Sequence, residues 1–489
     1  MITMEIIILV LSFVILLVIG VPIAFSIGMA GILTMLISID SIPAFTTYAH
    51  RMATGLDSFA LLAIPFFILA GNIMNRGGIA IRLINFARVL VGGLPGGLAF
   101  VNVIANMLFG AISGSAAASA SAIGSIMGPE MKKEKYDENF SAAVNITSAT
   151  TGLTIPPSNI LIVYSLASGG ASITALFVAG YIPGILTGLG IMLMAMSMLI
   201  YKNKGLGGIF RTLGFLFAGS VVLVGLGAGL KLVYDHTSLS MFKSIIYVLL
   251  SLGIGFWIYK TVQLWETKAK DGIKKFLDAI PSLFMLVVVI GGIIAGYFTA
   301  TEASAVAVLY ALVLALIYKE MTFRDLPAVI IRSVKTTAIV MLLVATSLGL
   351  SWIMSYENIP QNVSAGLLSI SNNPFVILLI INFILLFVGI FMDMTPAVLI
   401  FTPIFLPIVT VQLGMDPIHF GIIMVLNLSV GLCTPPVGSV LFIGCSIANL
   451  KIEKVVRPLL PLFIVMIVVL LLVTYIPELS LWLPNLLIK

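Results

Sequence analysis

Charged side chains are scarce in this sequence: 25 Lys and Arg with 19 Asp and Glu make up 9% of 489 residues, where a soluble domain carries about 25%. A chain of soluble domains, which the length alone would allow, is excluded. Cysteine is limited to Cys433 and Cys445, too few for a disulfide framework and without metal-ligand spacing, so the two are expected to stay unpaired. The three histidines, His50, His236 and His419, read as loop residues, which leaves no histidine proton relay. No G-x-x-x-x-G-K-S/T string occurs, so ATP is not the energy source within this chain.

What remains is apolar. Hydrophobic residues make up 60% of the chain and the mean hydropathy is +1.21. Apolar runs at 6–19, 61–73, 185–200, 284–298, 376–388 and 459–475 recur along the whole length, and a helical span needs roughly 20 residues. The fold class is therefore an all-α polytopic membrane protein lodged in a lipid bilayer. The longest polar stretch, 265–278, is too short to bury a core of its own. The net charge of +6 comes from basic clusters between apolar runs and forms no continuous basic face, so nucleic acid is not a partner. Residues 1–10 carry Glu5 and no basic residue, unlike a cleaved signal peptide, and are read as the first helix.

Sliding the chain against itself pairs Gly110 with Gly389, an offset of 279 residues (389 minus 110). The same offset pairs Gly152 with Gly431, Leu153 with Leu432, and Pro156-Pro157 with Pro435-Pro436. The halves read as copies. Basic residues are retained on the cytoplasmic side, so their distribution in matching loops reports orientation. Arg76, Arg82 and Arg88 face a basic-free 354–367, and Lys132, Lys133 and Lys135 face a basic-free 409–418. Two other pairs reverse the sense: 165–175 is uncharged against Lys451, Lys454 and Arg457, and 40–57 has only Arg51 where 319–335 adds Arg324 and Arg332. The copies are expected to be inserted oppositely.

Opposite insertion requires an odd number of crossings per copy. The segments at 4–19, 22–38, 58–74, 140–164 and 176–200 are read as spans, and 95–128 as a re-entrant hairpin between two cytoplasmic loops. The domain reading follows: 1–204 is a first repeat with hairpin 95–128 and broken helix 140–164. Residues 205–278 are an inserted helix pair (210–234 and 241–262) and an interfacial helix or solvated connector. Residues 279–489 are a second, inverted repeat with hairpin 374–407 and broken helix 418–443.

Inverted repeats with broken helices are how many secondary transporters place a site near the bilayer midplane. Each copy has such an interruption: Thr151, Gly152, Thr154, Pro156, Pro157, Ser158 and Asn159, then Gly431, Thr434, Pro435, Pro436 and Ser439. Proline removes a donor and frees a carbonyl one turn earlier. At membrane depth, free carbonyls persist only where protein, water or an ion satisfies them. One such break would be a plain kink repaired by Ser or Thr; two at equivalent positions, each beside a hairpin of small or polar residues, favour a cation site. The coupling ion is expected to be sodium, with no other cofactor.

The candidate ion site takes Ser113, Gly114, Ser115, Asn145, Thr151, Gly152 and Pro156 from the first copy, and Asp393, Thr395, Gly431, Thr434 and Pro435 from the second. Substrate contacts are expected from Ser113, Ser115, Asn159, Thr395 and Ser439. Asp393 at the second hairpin tip either couples the ion or caps a helix, since a membrane carboxylate needs a cation or donors nearby. Asn145, Asn159 and Asn427 either reach the site or bridge helices. Thr299 and Glu302 match a capping box, and Asp57 is read as a helix cap.

The strings VPIAFSIG from Val21, RMATGLDSFALLAIPFFILAGNIMNRGG from Arg51, MLFGAISGSAAASASAIGSIMGPEM from Met107 and YFTATEASAVAVLYAL from Tyr297 resemble the large, DctM-like permease subunit of the tripartite ATP-independent periplasmic (TRAP) transporters. The resemblance covers the chain apart from about 205–265. It implies sodium-driven import of organic acids across the bacterial inner membrane by an elevator motion, of the ion transporter superfamily kind. It also implies a small membrane subunit and a periplasmic substrate-binding protein as partners. The family's ion-binding regions fall on residues 113–115 with 151–157, and on 393–395 with 431–436. The sequence departs from the family in its inserted helix pair and in ATE from Ala300, where PTE is usual. No four-helix extension precedes the first repeat, so a fused small subunit is not expected. TGLTIPPSNILIVYSLASGG from Thr151 looks like members associated with sialic acid, beside C4-dicarboxylates, keto acids and other sugar acids. The residues leave other readings open: a stand-alone cation-coupled symporter or exchanger, a subunit without transport activity, or an intramembrane hydrolase on Ser113 or Ser115. The last lacks a nearby His, Lys or acid pair.

Overall fold

The computed structural model describes residues 4–94, 96–201, 269–435 and 437–488, in which all regular structure is helical. Backbone in hydrocarbon must satisfy its own hydrogen bonds, and a helix does so within one segment. The first half contains α1 (Met4–Val18), α2 (Ile23–Ser38), α3 (Ser41–Leu56), α4 (Ala63–Arg76), α5 (Ile79–Val91), α6 (Gly97–Ser113), α7 (Ala116–Lys133), α8 (Glu138–Ala149), α9 (Asn159–Ala167) and α10 (Ile173–Tyr201). The second contains α11 (Ala269–Ile294), α12 (Ala300–Ile317), α13 (Leu326–Tyr356), α14 (Ile359–Ile370), α15 (Pro374–Phe391), α16 (Met394–Pro407), α17 (Pro417–Gly431), α18 (Ser439–Ala448), α19 (Ile452–Tyr475) and α20 (Glu478–Leu487). Eight helical stretches among the described residues are long and apolar enough to cross a membrane. This is a multi-pass membrane protein.

With so little polarity, helix ends are set by single caps. Asp137 accepts from the Phe140 N–H at 2.9 Å, Asn373 from Phe375 at 2.9 Å, and Asp416 from Ile418 at 2.7 Å. Thr299 and Glu302 form the expected capping box at the start of α12. The fully buried side chains include Phe109, Tyr164, Phe177 and Phe420, so the core lies around α6, α9, α10 and α17. Phe383 and Leu309 are 70% and 64% exposed, as an outer ring facing lipid would be.

Helix starts recur along the chain. α5 and α14 start 280 residues apart (79 and 359), α8 and α17 start 279 apart (138 and 417), and α9 and α18 start 280 apart (159 and 439). The packing is reciprocal as well: α7 lies against α18, and α16 against α9.

Contacts near the helix ends sort by charge. Arg76 pairs with Asp325, Arg82 approaches Glu320 at 3.9 Å and covers the Tyr318 ring, and Arg88 pairs with Glu130. At the basic-poor ends, Ser38 hydrogen-bonds Glu357, Arg51 sits over Trp352, and Tyr164 donates to the Pro417 carbonyl at 2.6 Å. None of these contacts crosses between the two sets.

Several expectations need correction. Residues 41–56 are a helix, not a loop; it buries only Ala44 and Tyr48, and the Tyr48 hydroxyl donates to the Thr346 carbonyl at 2.8 Å. A search for membrane-length apolar runs passes over such a half-buried amphipathic helix. Asp57 is a cap, as expected, but the segment before it is this helix and not a loop, so it closes α3 at its C-terminal end. His50 lies within α3, and His419 is buried in the first turn of α17 with Nδ1 2.6 Å from the Ser480 hydroxyl. The boundary drawn at 278 falls inside α11. Both cysteines are free, as expected, and buried. The helix pair at 210–262 and His236 lie outside the described residues.

Candidate transport site

The chain breaks where Gly and Pro interrupt the apolar runs. α8 stops at Ala149, a 3-10 turn covers Thr151–Leu153, and α9 starts at Asn159. In the other half α17 stops at Gly431 and α18 starts at Ser439. The first break is buried from Thr151 to Ser158, and its Pro156–Pro157 peptide is cis. Ser158 repairs one carbonyl, its hydroxyl donating to Leu153 at 2.5 Å. The carbonyls of Ile155 and Pro156 accept no hydrogen bond among the described residues, and Thr154 Oγ1 and Asn159 Oδ1 are buried without a partner.

Close backbone approach brings each break against its neighbouring helix. A Cβ on Gly152 would lie 2.5 Å from the Gly110 Cα, and one on Gly431 would lie 2.8 Å from the Gly389 Cα. Only glycine at both positions of each pair lets α6 meet the first break and α15 the second.

At the first tip, Ser113 ends α6, Gly114 turns the chain with φ of 60°, and Ser115 caps α7 through Ala118 at 3.2 Å. Gly114 is conformationally required there, and it faces Asn159: a Cβ would fall 2.7 Å from Asn159 Nδ2. Ser113, Gly114, Ser115 and Asn159 are thus brought together. At the second tip the Asp393 carboxylate caps α16, accepting from the Met394 N–H at 3.0 Å, and the residue is exposed. Thr395 lies one residue into that helix and is half-buried. No hydrogen bond joins Asp393 or Thr395 to residues 151–157 or 431–435 among the described residues. Thr151 and Thr434 turn their hydroxyls back onto their own helices, at Ser148 (2.6 Å) and Val430 (3.2 Å). Pro435 is half-buried, and Ser439 is exposed at the start of α18. Pro436 lies outside the described residues.

The two breaks meet each other. Cys433 donates its thiol to the Ile146 carbonyl at 3.4 Å and lies 3.8 Å from the Thr150 hydroxyl, linking the second break to the end of α8.

Asn145 and Asn427 bridge helices. Asn145 donates to the Ala120 carbonyl at 2.9 Å and accepts from Asn106 at 3.1 Å; Asn427 donates to Asn382 Oδ1 at 2.7 Å. Sequence reading missed Asn102, Asn106 and Asn382. Asn106 also reaches Asn102 Oδ1 and the Ser148 hydroxyl at 2.7 and 2.9 Å, which ties α6 to α8. A lone amide in an apolar run, paired with another at a matching distance in the copy, was the available signal.

Residues 10–479 match the family described as the tripartite ATP-independent periplasmic transporter, DctM component. The chain belongs to this family. It is 50% identical to "Uncharacterized protein YgiK" of Salmonella typhimurium over 97% of this chain and 96% of that protein. It is 34% identical to the C4-dicarboxylate TRAP transporter large permease protein DctM of Rhodobacter capsulatus, covering 96% of each chain. To the sialic acid TRAP transporter large permease protein SiaM of Vibrio cholerae it is 33% identical, over 96% of this chain and 95% of the relative. In fold, this TRAP large permease is similar to the YdaH transporter of Alcanivorax borkumensis, with a TM-score of 0.59, 12% identity and coverage of 96% and 97%.

Proposed function

We propose that this TRAP permease imports a small organic anion into the cell, driven by sodium, from a periplasmic binding protein and together with a small membrane subunit. The observation that carries the reading is the meeting of two broken helices through Cys433, Ile146 and Thr150. Each break presents a helix C-terminus, whose free carbonyls favour a cation, and a helix N-terminus, whose free N–H groups favour an anion. Neither Ser158 nor Gly438 caps the following helix with a side chain. The first-turn donors of α9 remain available to a substrate carboxylate, whereas at α18 the Val440 N–H is already donated to the Leu432 carbonyl at 3.2 Å.

Sodium is a hard cation that takes oxygen ligands, and the first break offers them: unpaired carbonyls at Ile155 and Pro156 and the unpartnered oxygens of Thr154 and Asn159. Ser113, Gly114, Ser115, Thr151, Gly152 and Pro156 form the first coupling site in this reading, and Asp393, Thr395, Gly431, Thr434 and Pro435 the second. Ser113, Ser115, Asn159, Thr395 and Ser439 contact the substrate. Asn145 holds helices, as its hydrogen bonds indicate.

The repeats are inverted, and the hairpins with the broken helices move as one body in an elevator cycle. The sorted contacts at the helix ends support this orientation, with Arg76, Arg82 and Arg88 on the cytoplasmic side of the inner membrane. The substrate is a carboxylate such as a C4-dicarboxylate, sialic acid or another sugar acid. Reconstitution in vesicles tests the reading: uptake of one of these acids should require both an inward sodium gradient and a cognate binding protein. Full uptake by this chain alone would point to a stand-alone symporter.

A further inference from the structure

A cavity of about 270 Å³ opens between the end of α4 and the first turns of α13, lined by Asn72, Asn75, Arg76, Ala328, Val329 and Arg332. Its polar wall is cationic and donor-rich. Arg76 is ion-paired with Asp325, but the Arg332 and Asn75 side chains have no partner among the described residues. Asn72 is held in place, donating from Nδ2 to the Ser333 hydroxyl at 2.9 Å, which in turn donates to the Val329 carbonyl at 2.8 Å. Arg324 and Lys335 add positive charge along the same stretch.

The cavity suits an anion with several oxygens, because two guanidiniums and a carboxamide converge on it. Its size fits a phosphate group with its water, not a drug-sized ligand. Beside Arg332, the α13 side chains Ile331 and Val334 are 56% and 59% exposed, and Ile339 farther along is 61% exposed. The ligand therefore has an anionic head and apolar chains that run along α13. We propose that this cavity holds the phosphodiester of an anionic phospholipid in the leaflet on the basic-loop side, where basic pockets between helices bind such headgroups. Free phosphate shares the head chemistry but leaves the apolar stripe uncovered.

The test uses the full chain, stripped of lipid in detergent and then exposed to phosphatidylglycerol or phosphatidylcholine, with retained lipid counted by native mass spectrometry. Phosphatidylglycerol should be retained preferentially. Arg332→Gln should reduce that retention about fivefold, the equivalent of about 1 kcal/mol for one basic residue near the surface, while Arg332→Lys keeps most of it. Millimolar inorganic phosphate should not displace the lipid. Equal retention of both lipids, or no change in Arg332→Gln with an unaltered melting temperature, would overturn the assignment. Displacement by inorganic phosphate would assign the cavity to free anion instead. Release of a co-purified membrane subunit by Arg332→Gln, with lipid retention unchanged, would assign it to a protein partner.

Discussion

Gly110 and Gly152 face each other across α6 and the first break, so closely that a methyl group on Gly152 would lie 2.5 Å from the Gly110 Cα. Gly389 and Gly431 repeat the contact at 2.8 Å. Backbone on both sides cannot yield as a flexible side chain would. Gly152→Ala and Gly431→Ala should each cost about 1–3 kcal/mol through overpacking, read as a clear fall in the melting temperature of the purified protein. Gly128→Ala, inside α7 with nothing within 4 Å of the new carbon, should not lower it and should raise it slightly through helix propensity.

Asn106 satisfies Asn102, Asn145 and Ser148 and accepts from the Ser119 hydroxyl at 2.7 Å. Asn106→Ala strands several buried polar groups at once, and each such group costs about 1–3 kcal/mol. Its melting temperature should fall further than that of Ser125→Ala, which removes only a local bond to the Ala122 carbonyl.

Asp393→Asn keeps an oxygen to accept from the Met394 N–H and removes only the charge. If the carboxylate serves ion coupling, sodium-driven uptake should drop roughly tenfold or more while the melting temperature holds. Normal uptake with normal sodium dependence would leave Asp393 as a helix cap alone.

Orientation can be read by labelling. Native Cys433 and Cys445 are buried, so single added cysteines report cleanly. Lys133→Cys should react with an impermeant maleimide only from the cytoplasm, and Val411→Cys, at a site 77% exposed, only from outside. The same side for both would refute opposite insertion of the halves.

The breaks were legible because Gly and Pro-Pro disrupt helices whatever surrounds them. The caps at Thr299 and Glu302 were legible for the same local reason. The packing partners of single polar residues were not. Asn102, Asn106 and Asn382 sit in runs apolar on every side, where no periodicity distinguishes a face toward lipid from a face toward protein. α3 escaped because His50 and Arg51 lower its hydropathy, although its burial of Tyr48 against Thr346 is specific. The meeting of Cys433 with Ile146 and Thr150 joins residues 287 and 283 positions apart, a distance no local signal spans.

The central claim is that paired helix breaks couple a sodium ion to an organic anion. Uptake of a labelled organic acid into vesicles holding the complete transporter, measured with external sodium and again with sodium replaced by choline, tests it most directly. Uptake should collapse in choline, and Pro156→Ala with Pro157→Ala should shift the sodium dependence to higher concentration without reducing the amount of protein in the vesicles. Undiminished uptake in choline would contradict the claim.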